Sequence, residues 1–229
     1  PYYYSFFSLF YPIISSSRLF EILAAARAVL EACENDKLNE CIPLGGESGN
    51  PNVLESKSSF IMNGGSNNTI RWPRNTLKTH QKILLATYQR LCSLAHHIIQ
   101  AMPLSWNQSN CCNIDANQTA TLRLFRYFPH QAHPRYIGSA AHSDWGLLTL
   151  VLADDLLFAN RHGGQLEISL QSQKWQRIAV PTDDSIILNA GDYLALSAPA
   201  GQVHSPRHRV LLDQEKDRIS LVFFFYPDS

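Results

Sequence analysis

From Thr121 onward the chain reads as a succession of short apolar segments separated by turn residues, and this rhythm constrains its fold more than any other feature. The expected strands are Thr121 to Phe128, Leu147 to Leu152, Gln165 to Ser169, Trp175 to Val180, Ser185 to Asn189, Tyr193 to Ser197, His208 to Leu212 and Arg218 to Tyr226. Gly163-Gly164, Pro181-Thr182-Asp183-Asp184 and Ala190-Gly191-Asp192 supply the turns. Short strands so regularly spaced predict an antiparallel sandwich or barrel. At 229 residues the chain is long enough for a sizeable core, and a β fold of this length is commonly one domain.

The first hundred residues follow a different period. Ser17 is the expected N-cap of a helix through about Cys33, with Leu19, Ile22, Leu23, Ala26, Val29 and Leu30 at helical spacing. A second helix is expected between Pro73 and Pro103, its docking face stepping through Leu84, Tyr88, Leu91, Ala95, Ile98 and Met102. Residues 43 to 70, rich in Gly, Asn and Ser, read as a long loop. The expected organisation is a helical region over 1–119 and a β core over 120–229, together one structural unit. There is no internal repeat and no low-complexity tract.

Nineteen basic and nineteen acidic side chains cancel, so no global field attracts nucleic acid, acidic lipid or a polyanion. A monomer acting on a small molecule, with neither nucleic acid nor membrane as partner, fits that balance. The five cysteines, Cys33, Cys41, Cys92, Cys111 and Cys112, are odd in number and too sparse for a disulfide framework, which predicts a reducing cytoplasm. The N-x-S/T triplets at Asn67, Asn107 and Asn117 are what fourteen asparagines supply by chance. The apolar run Tyr2 to Ile14 is too short to span a bilayer and lacks the basic flank of a signal peptide. The chain begins at Pro1, for which processing, truncation or a fragmentary gene model would each account.

Chemistry concentrates in two short motifs. His142 and Asp144 are two residues apart, so on an extended segment both point to one side. A third ligand must come from a distant strand. His204 and His208 share a parity, and His208, in the better strand, is preferred. Two histidines and a carboxylate leave open positions on an octahedral iron, the arrangement of non-haem Fe(II) oxygenases. Taken alone, an H-x-D triplet is more often an exposed turn or a hydrogen-bonded pair. Arg218 and Ser220, with Val222 and Phe224, share one face of an otherwise apolar strand. A buried guanidinium with a neighbouring hydroxyl suits bidentate capture of a carboxylate, unless one of the chain's own acids pairs with it.

Ala141-His142-Ser143-Asp144-Trp145-Gly146-Leu147-Leu148-Thr149-Leu150, Gly163-Gly164-Gln165-Leu166, Trp175 to Pro181, Asn189-Ala190-Gly191-Asp192, Ser205-Pro206-Arg207-His208-Arg209-Val210 and Arg218 to Pro227 resemble, in order, segments of one family. That family is the isopenicillin-N-synthase-like branch of the Fe(II)/2-oxoglutarate-dependent dioxygenases. The resemblance covers about residues 120 to 227 closely and the preceding helix more loosely. It implies a mainly β fold with flanking helices: a double-stranded β-helix, or distorted cupin-like jelly roll, with N-terminal helices packed on the larger sheet. It also implies Fe(II) on His142, Asp144 and His208, 2-oxoglutarate as cosubstrate on Arg218 and Ser220, and O2 as oxidant. The implied reaction is hydroxylation, desaturation or cyclisation of a small organic molecule, with succinate and CO2 released. Asn189-Ala190-Gly191-Asp192 resembles a structural turn between barrel strands.

The sequence also departs from the family. Many members carry an inward asparagine where Arg126 falls and a tyrosine touching 2-oxoglutarate where Phe128 falls. Either Tyr127 takes over by a local shift, or the cosubstrate leans on Arg218 and Ser220. Arg126 is expected to reach either an acidic group on the substrate or solvent. Trp145, at the pocket mouth or in the core, together with Phe128 and Phe224, completes the expected substrate pocket. No counterpart of the family's N-terminal strand is evident, and the chain stops at Ser229 where relatives continue into a covering tail. Two alternatives stay open: an iron oxidase of the same fold that does not use 2-oxoglutarate, and an inactive binding or structural module.

Overall fold

The two strands with the longest alternation, Ala120–Tyr127 and Arg218–Phe225, pair antiparallel along their whole length near the middle of a seven-stranded sheet. The computed structural model describes residues 6–10, 14–47, 53–63, 70–102, 120–132, 136–154, 166–169, 174–178 and 185–227. In chain order its elements are β1 (Phe6–Phe10), α1 (Ser16–Cys33), β2 (Cys41–Ile42), β3 (Lys57–Asn63), α2 (Lys78–Gln100), β4 (Ala120–Tyr127), β5 (Ser139–His142), β6 (Leu148–Ala153), β7 (Leu166–Ser169), β8 (Trp175–Arg177), β9 (Ser185–Ala190), α3 (Asp192–Ser197), β10 (His208–Val210) and β11 (Arg218–Phe225). The larger sheet runs β1-β9-β6-β11-β4-β3-β2 and the smaller β5-β10-β7-β8, with antiparallel pairing throughout both.

Alternation sorts the larger sheet into two faces. Leu122 and Leu124 of β4 and Leu221, Phe223 and Phe225 of β11 are fully buried, and the helices cover that face. α1 contributes Leu19, Ile22, Leu23, Ala26, Val29 and Leu30, the stripe its spacing predicts. Tyr88 of α2 packs edge-on against Phe223 and donates its hydroxyl to the Ala120 carbonyl at 3.1 Å. Each such large side chain contributes roughly 1.5–3 kcal/mol by leaving water. The opposite face, with Phe125, Tyr127, Arg218 and Ser220, looks across a cavity to the smaller sheet.

Four expectations change. α1 starts at Ser16 on the N-cap Ser15, whose hydroxyl accepts from the Arg18 amide, so Ser17 lies inside the helix. Residues 57–63, read as loop, form β3, because pairing with β4 and the burial of Phe60 and Met62 outweigh the low strand preference of Lys, Ser and Asn. β1 brings a strand from the N-terminal apolar run onto β9 where none was found in the sequence. Tyr193 to Ser197, read as strand, is helical. A Cβ at Gly191 would collide with the Gly146 carbonyl, and the Asp192 and Tyr193 amides bond the Asp144 and Trp145 carbonyls. That docking launches α3 with an acid in its first turn.

Cys33 and Cys41 form a disulfide joining the end of α1 to β2, a departure from the reduced state expected of five sparse cysteines. Cys92 is a buried thiol outside the disulfide, its pKa pushed by burial to about 11. Among the described residues no helix is long and apolar enough to cross a membrane. The expected turns at Gly163-Gly164 and 181–184, the end of the strand expected to reach Val180, the triplets at 67–69, 107–109 and 117–119, and Cys111 and Cys112 lie outside the described residues.

Candidate active site

His142 ends β5 and His208 opens β10, and the two strands pair so that these residues are directly opposite. The imidazole centroids are 4.4 Å apart. Asp144 enters from the loop after β5, its Oδ1 lying 3.8 Å from His142 Nε2 and 3.7 Å from His208 Nε2. One donor atom from each residue falls within 4.8 Å of the others. His204 is not part of this cluster.

The surrounding hydrogen bonds set the chemistry of these donors. His142 Nδ1 donates to the Ala140 carbonyl at 2.7 Å and His208 Nδ1 to the Pro206 carbonyl at 3.2 Å, since a carbonyl only accepts. In each ring this leaves Nε2 as the nitrogen that faces Asp144 and is available to ligate a metal. Burial pushes His208 below the ordinary imidazole pKa; nearby Asp144 opposes that and His142 adds to it. Asn189 Nδ2 donates to Asp144 Oδ2 at 2.6 Å, which occupies one carboxylate oxygen and leaves Oδ1 for the cluster. This donor set of two imidazole Nε2 atoms and a held carboxylate fits a divalent iron with open positions.

The walls of the adjoining cavity come from both sheets, with Phe125, Tyr127, Thr149, Arg218, Ser220 and Phe224 from the larger and His142, His208, Leu166 and Val210 from the smaller. Arg218 is buried, its guanidinium 5.4 Å from the Tyr127 ring centroid. Ser220 Oγ and Thr149 Oγ1 are buried without hydrogen-bond partners among the described residues. An unpartnered Ser220 hydroxyl two residues from a buried cation on the same face of β11 suits a ligand rich in acceptor oxygens. The two fit a dicarboxylate whose one end meets the metal and whose other end meets Arg218.

Not every expected pocket residue is here. Arg126 shares a face with Leu122 and Leu124, but that face meets the helices, so Arg126 pairs with Asp217 at 2.9 Å and Glu34 at 2.7 Å instead of a substrate. Phe128 lies with it outside the cavity, 4.9 Å beneath the Arg126 guanidinium. Its missing hydroxyl therefore has no bearing on the cavity, where Tyr127 stands beside Arg218. Trp145 is 83% exposed and lines no part of the cavity. Phe224 does line it, stacked on Tyr226. Sequence reasoning missed Lys57, which sat in an apparent loop, and treated Asn189 as structural only. A lone amide ending the apolar run Ile186-Ile187-Leu188 was the available signal for Asn189.

The family model described as the 2OG-Fe(II) oxygenase superfamily matches residues 118–227. The 2-oxoglutarate-dependent dioxygenase citB of Monascus ruber is 35% identical over 108 residues, 45% of this chain and 30% of that protein. Homoarginine-6-hydroxylase 2-ODD-C23 of Glycine max is 32% identical over 173 residues, 70% of this chain and 48% of that protein. This chain thus spans at most about half the length of these relatives. The dioxygenase for auxin oxidation in rice superposes with a TM-score of 0.70 at 18% identity, covering 97% of this chain and 74% of that one, and so shares the fold. The matched segment contains both halves of the donor cluster and the Arg218–Ser220 strand, and it is this segment, residues 118–227, that falls in the 2OG-Fe(II) oxygenase superfamily.

Proposed function

We propose that this chain is the catalytic core of an Fe(II)- and 2-oxoglutarate-dependent oxygenase that oxidises a small organic molecule. The observation that supports it most is the meeting, in one cavity, of the His142–Asp144–His208 donors with Arg218 and Ser220. His142, Asp144 and His208 would hold the iron, and Arg218, Ser220 and Tyr127 the 2-oxoglutarate. When bound, iron with 2-oxoglutarate and O2 supplies an oxidant able to attack a C–H bond, with succinate and CO2 as coproducts. The protein's part is positional. Arg218 and Ser220 set the depth and orientation of the cosubstrate, Asn189 fixes the Asp144 carboxylate, and Val151, Val222 and Phe224 keep the cavity apolar around it. Strands on both sides of residue 119 share one sheet, which supports reading 1–119 and 120–229 as a single unit, a double-stranded β-helix with helices outside its larger sheet. The names of the relatives, among them a homoarginine hydroxylase, support a small-molecule substrate.

An anaerobic titration tests the proposal. Fe(II) followed by 2-oxoglutarate should give a metal-to-ligand charge-transfer absorption, and admission of O2 should release succinate. A chain that binds iron yet shows neither would overturn it.

A further inference from the structure

Resting on that reading, we infer that Lys57 supplies a second cation to the far carboxylate of 2-oxoglutarate and closes the cavity at that end. The strand register carries the case. Lys57, Tyr127 and Arg218 are directly opposite one another on the consecutive strands β3, β4 and β11. They occupy one level of the cavity. The metal donors occupy another: His208 is opposite His142, whereas Val210, two residues farther along β10, is opposite Ser139. On β11 the end facing the donor loop is Phe224, opposite Thr149, and Arg218 is the distant end. Lys57 is therefore placed where the carboxylate remote from the metal would lie.

Its side chain is directed there. Lys57 is 8% exposed and lines the cavity. Its Nζ is 5.3 Å from the Phe125 ring centroid, Arg218 lies 5.4 Å from that of Tyr127, and the two rings are 6.0 Å apart. Two cations thus rest on adjacent aromatic rings of one strand. Glu55 Oε2 lies 2.5 Å from Lys57 Nζ, and Ser139 Oγ accepts from it at 3.4 Å. Glu55 is itself held, its Oε1 accepting from the Ala140 amide at 2.7 Å. An ammonium has three N–H donors, so one is left for a ligand. Glu55 does not line the cavity, so a ligand meets the cation with the counter-charge behind it. Glu55, just before β3, thus also ties the larger sheet to β5 at this end of the space between the sheets.

Binding of 2-oxoglutarate to the full chain, loaded anaerobically with Fe(II) and followed by calorimetry, tests the inference. 2-Oxobutyrate, which has the same 2-oxo acid head but no far carboxylate, is the control ligand. Lys57→Met should weaken 2-oxoglutarate about tenfold while 2-oxobutyrate stays within about twofold. Lys57→Arg should recover most of the loss. Because Lys57→Met leaves Glu55 buried and unpaired, the Glu55→Gln/Lys57→Met double variant is measured beside it, and it should show the same selective loss. Unchanged 2-oxoglutarate affinity in the double variant, or equal loss for both ligands, would overturn the role of Lys57. If Arg218→Ala weakens 2-oxoglutarate in the same series, the function proposed above survives that failure. Absence of 2-oxoglutarate binding to the wild type would remove both.

Discussion

Asn189 donates from Nδ2 to Asp144 Oδ2 at 2.6 Å, so a side chain on the larger sheet aims the one carboxylate of a cluster otherwise built on the smaller. This bond ties the two sheets together at the site. It also divides the carboxylate's work, one oxygen for the amide and one for a metal.

Asp144→Ala is expected to abolish stoichiometric Fe(II) binding with the fold retained, and Asn189→Ala to weaken it by about 10–100-fold, as removal of a partner that orients a ligand usually does. Metal content after gel filtration, with circular dichroism as the fold control, checks both. Unchanged iron affinity in Asp144→Ala would refute the ligand assignment.

Arg218→Ala should weaken 2-oxoglutarate by about 10–100-fold, since a charge-assisted bond to a buried carboxylate is lost. Tyr127→Phe should cost about threefold to tenfold, the scale of one neutral hydrogen bond. Phe128→Leu, outside the cavity, should leave the affinity within about twofold. Calorimetry on the three variants settles which aromatic residue belongs to the site. A larger effect at Phe128 than at Tyr127 would contradict the register of β4.

Acid should loosen the attachment of α1. Burial by itself would raise Asp217, but the hydrogen bond from Arg27 and the charges of Arg27 and Arg126 outweigh it and hold the carboxyl below the usual range. A lowered folded-state pKa means the stabilisation is present above the unfolded value of about 3.9 and is lost as pH falls through the folded one. Thermal melts should therefore show the wild type losing its advantage over Asp217→Asn below about pH 4. A gap between the two that is constant from pH 7 to pH 3 would disprove this linkage.

Alkylation without reductant should leave Cys33 and Cys41 unmodified, and mass spectrometry after reduction should show both labelled. Opening the bond is expected to cost about 2–3 kcal/mol, the scale of closing a loop this short. Urea unfolding with and without reductant measures it. Labelling of Cys33 before reduction would exclude the bond.

That His142, Asp144 and His208 come together, and that Arg218 and Ser220 line the same cavity, could be expected from residue order alone. Arg218-x-Ser220 was legible because period-two spacing puts the pair on one face of β11, and the ordered segments around His142-x-Asp144 and His208 pointed to that trio, although Asp144 lies in the loop beyond β5 and not on the strand. The buried stripes of α1 and α2 were equally readable, since 3.6-residue spacing is a local property. Whatever depends on what a face meets came from the packing of distant segments. Alternation says that Arg126 goes with Leu124 and Tyr127 with Phe125, but not which pair looks inward. α1 and the Arg27–Asp217 pair settle that by claiming the Arg126 face. Lys57 became a wall of the cavity only through pairing with β4, because the Lys57-Ser58-Ser59 start of β3 has too little intrinsic preference to announce a strand. Tyr193 to Ser197 turned helical for the same kind of reason, its first amides being captured by carbonyls of the loop that carries Asp144. Local spacing fixes which residues act together; only long-range pairing fixes the space they act in.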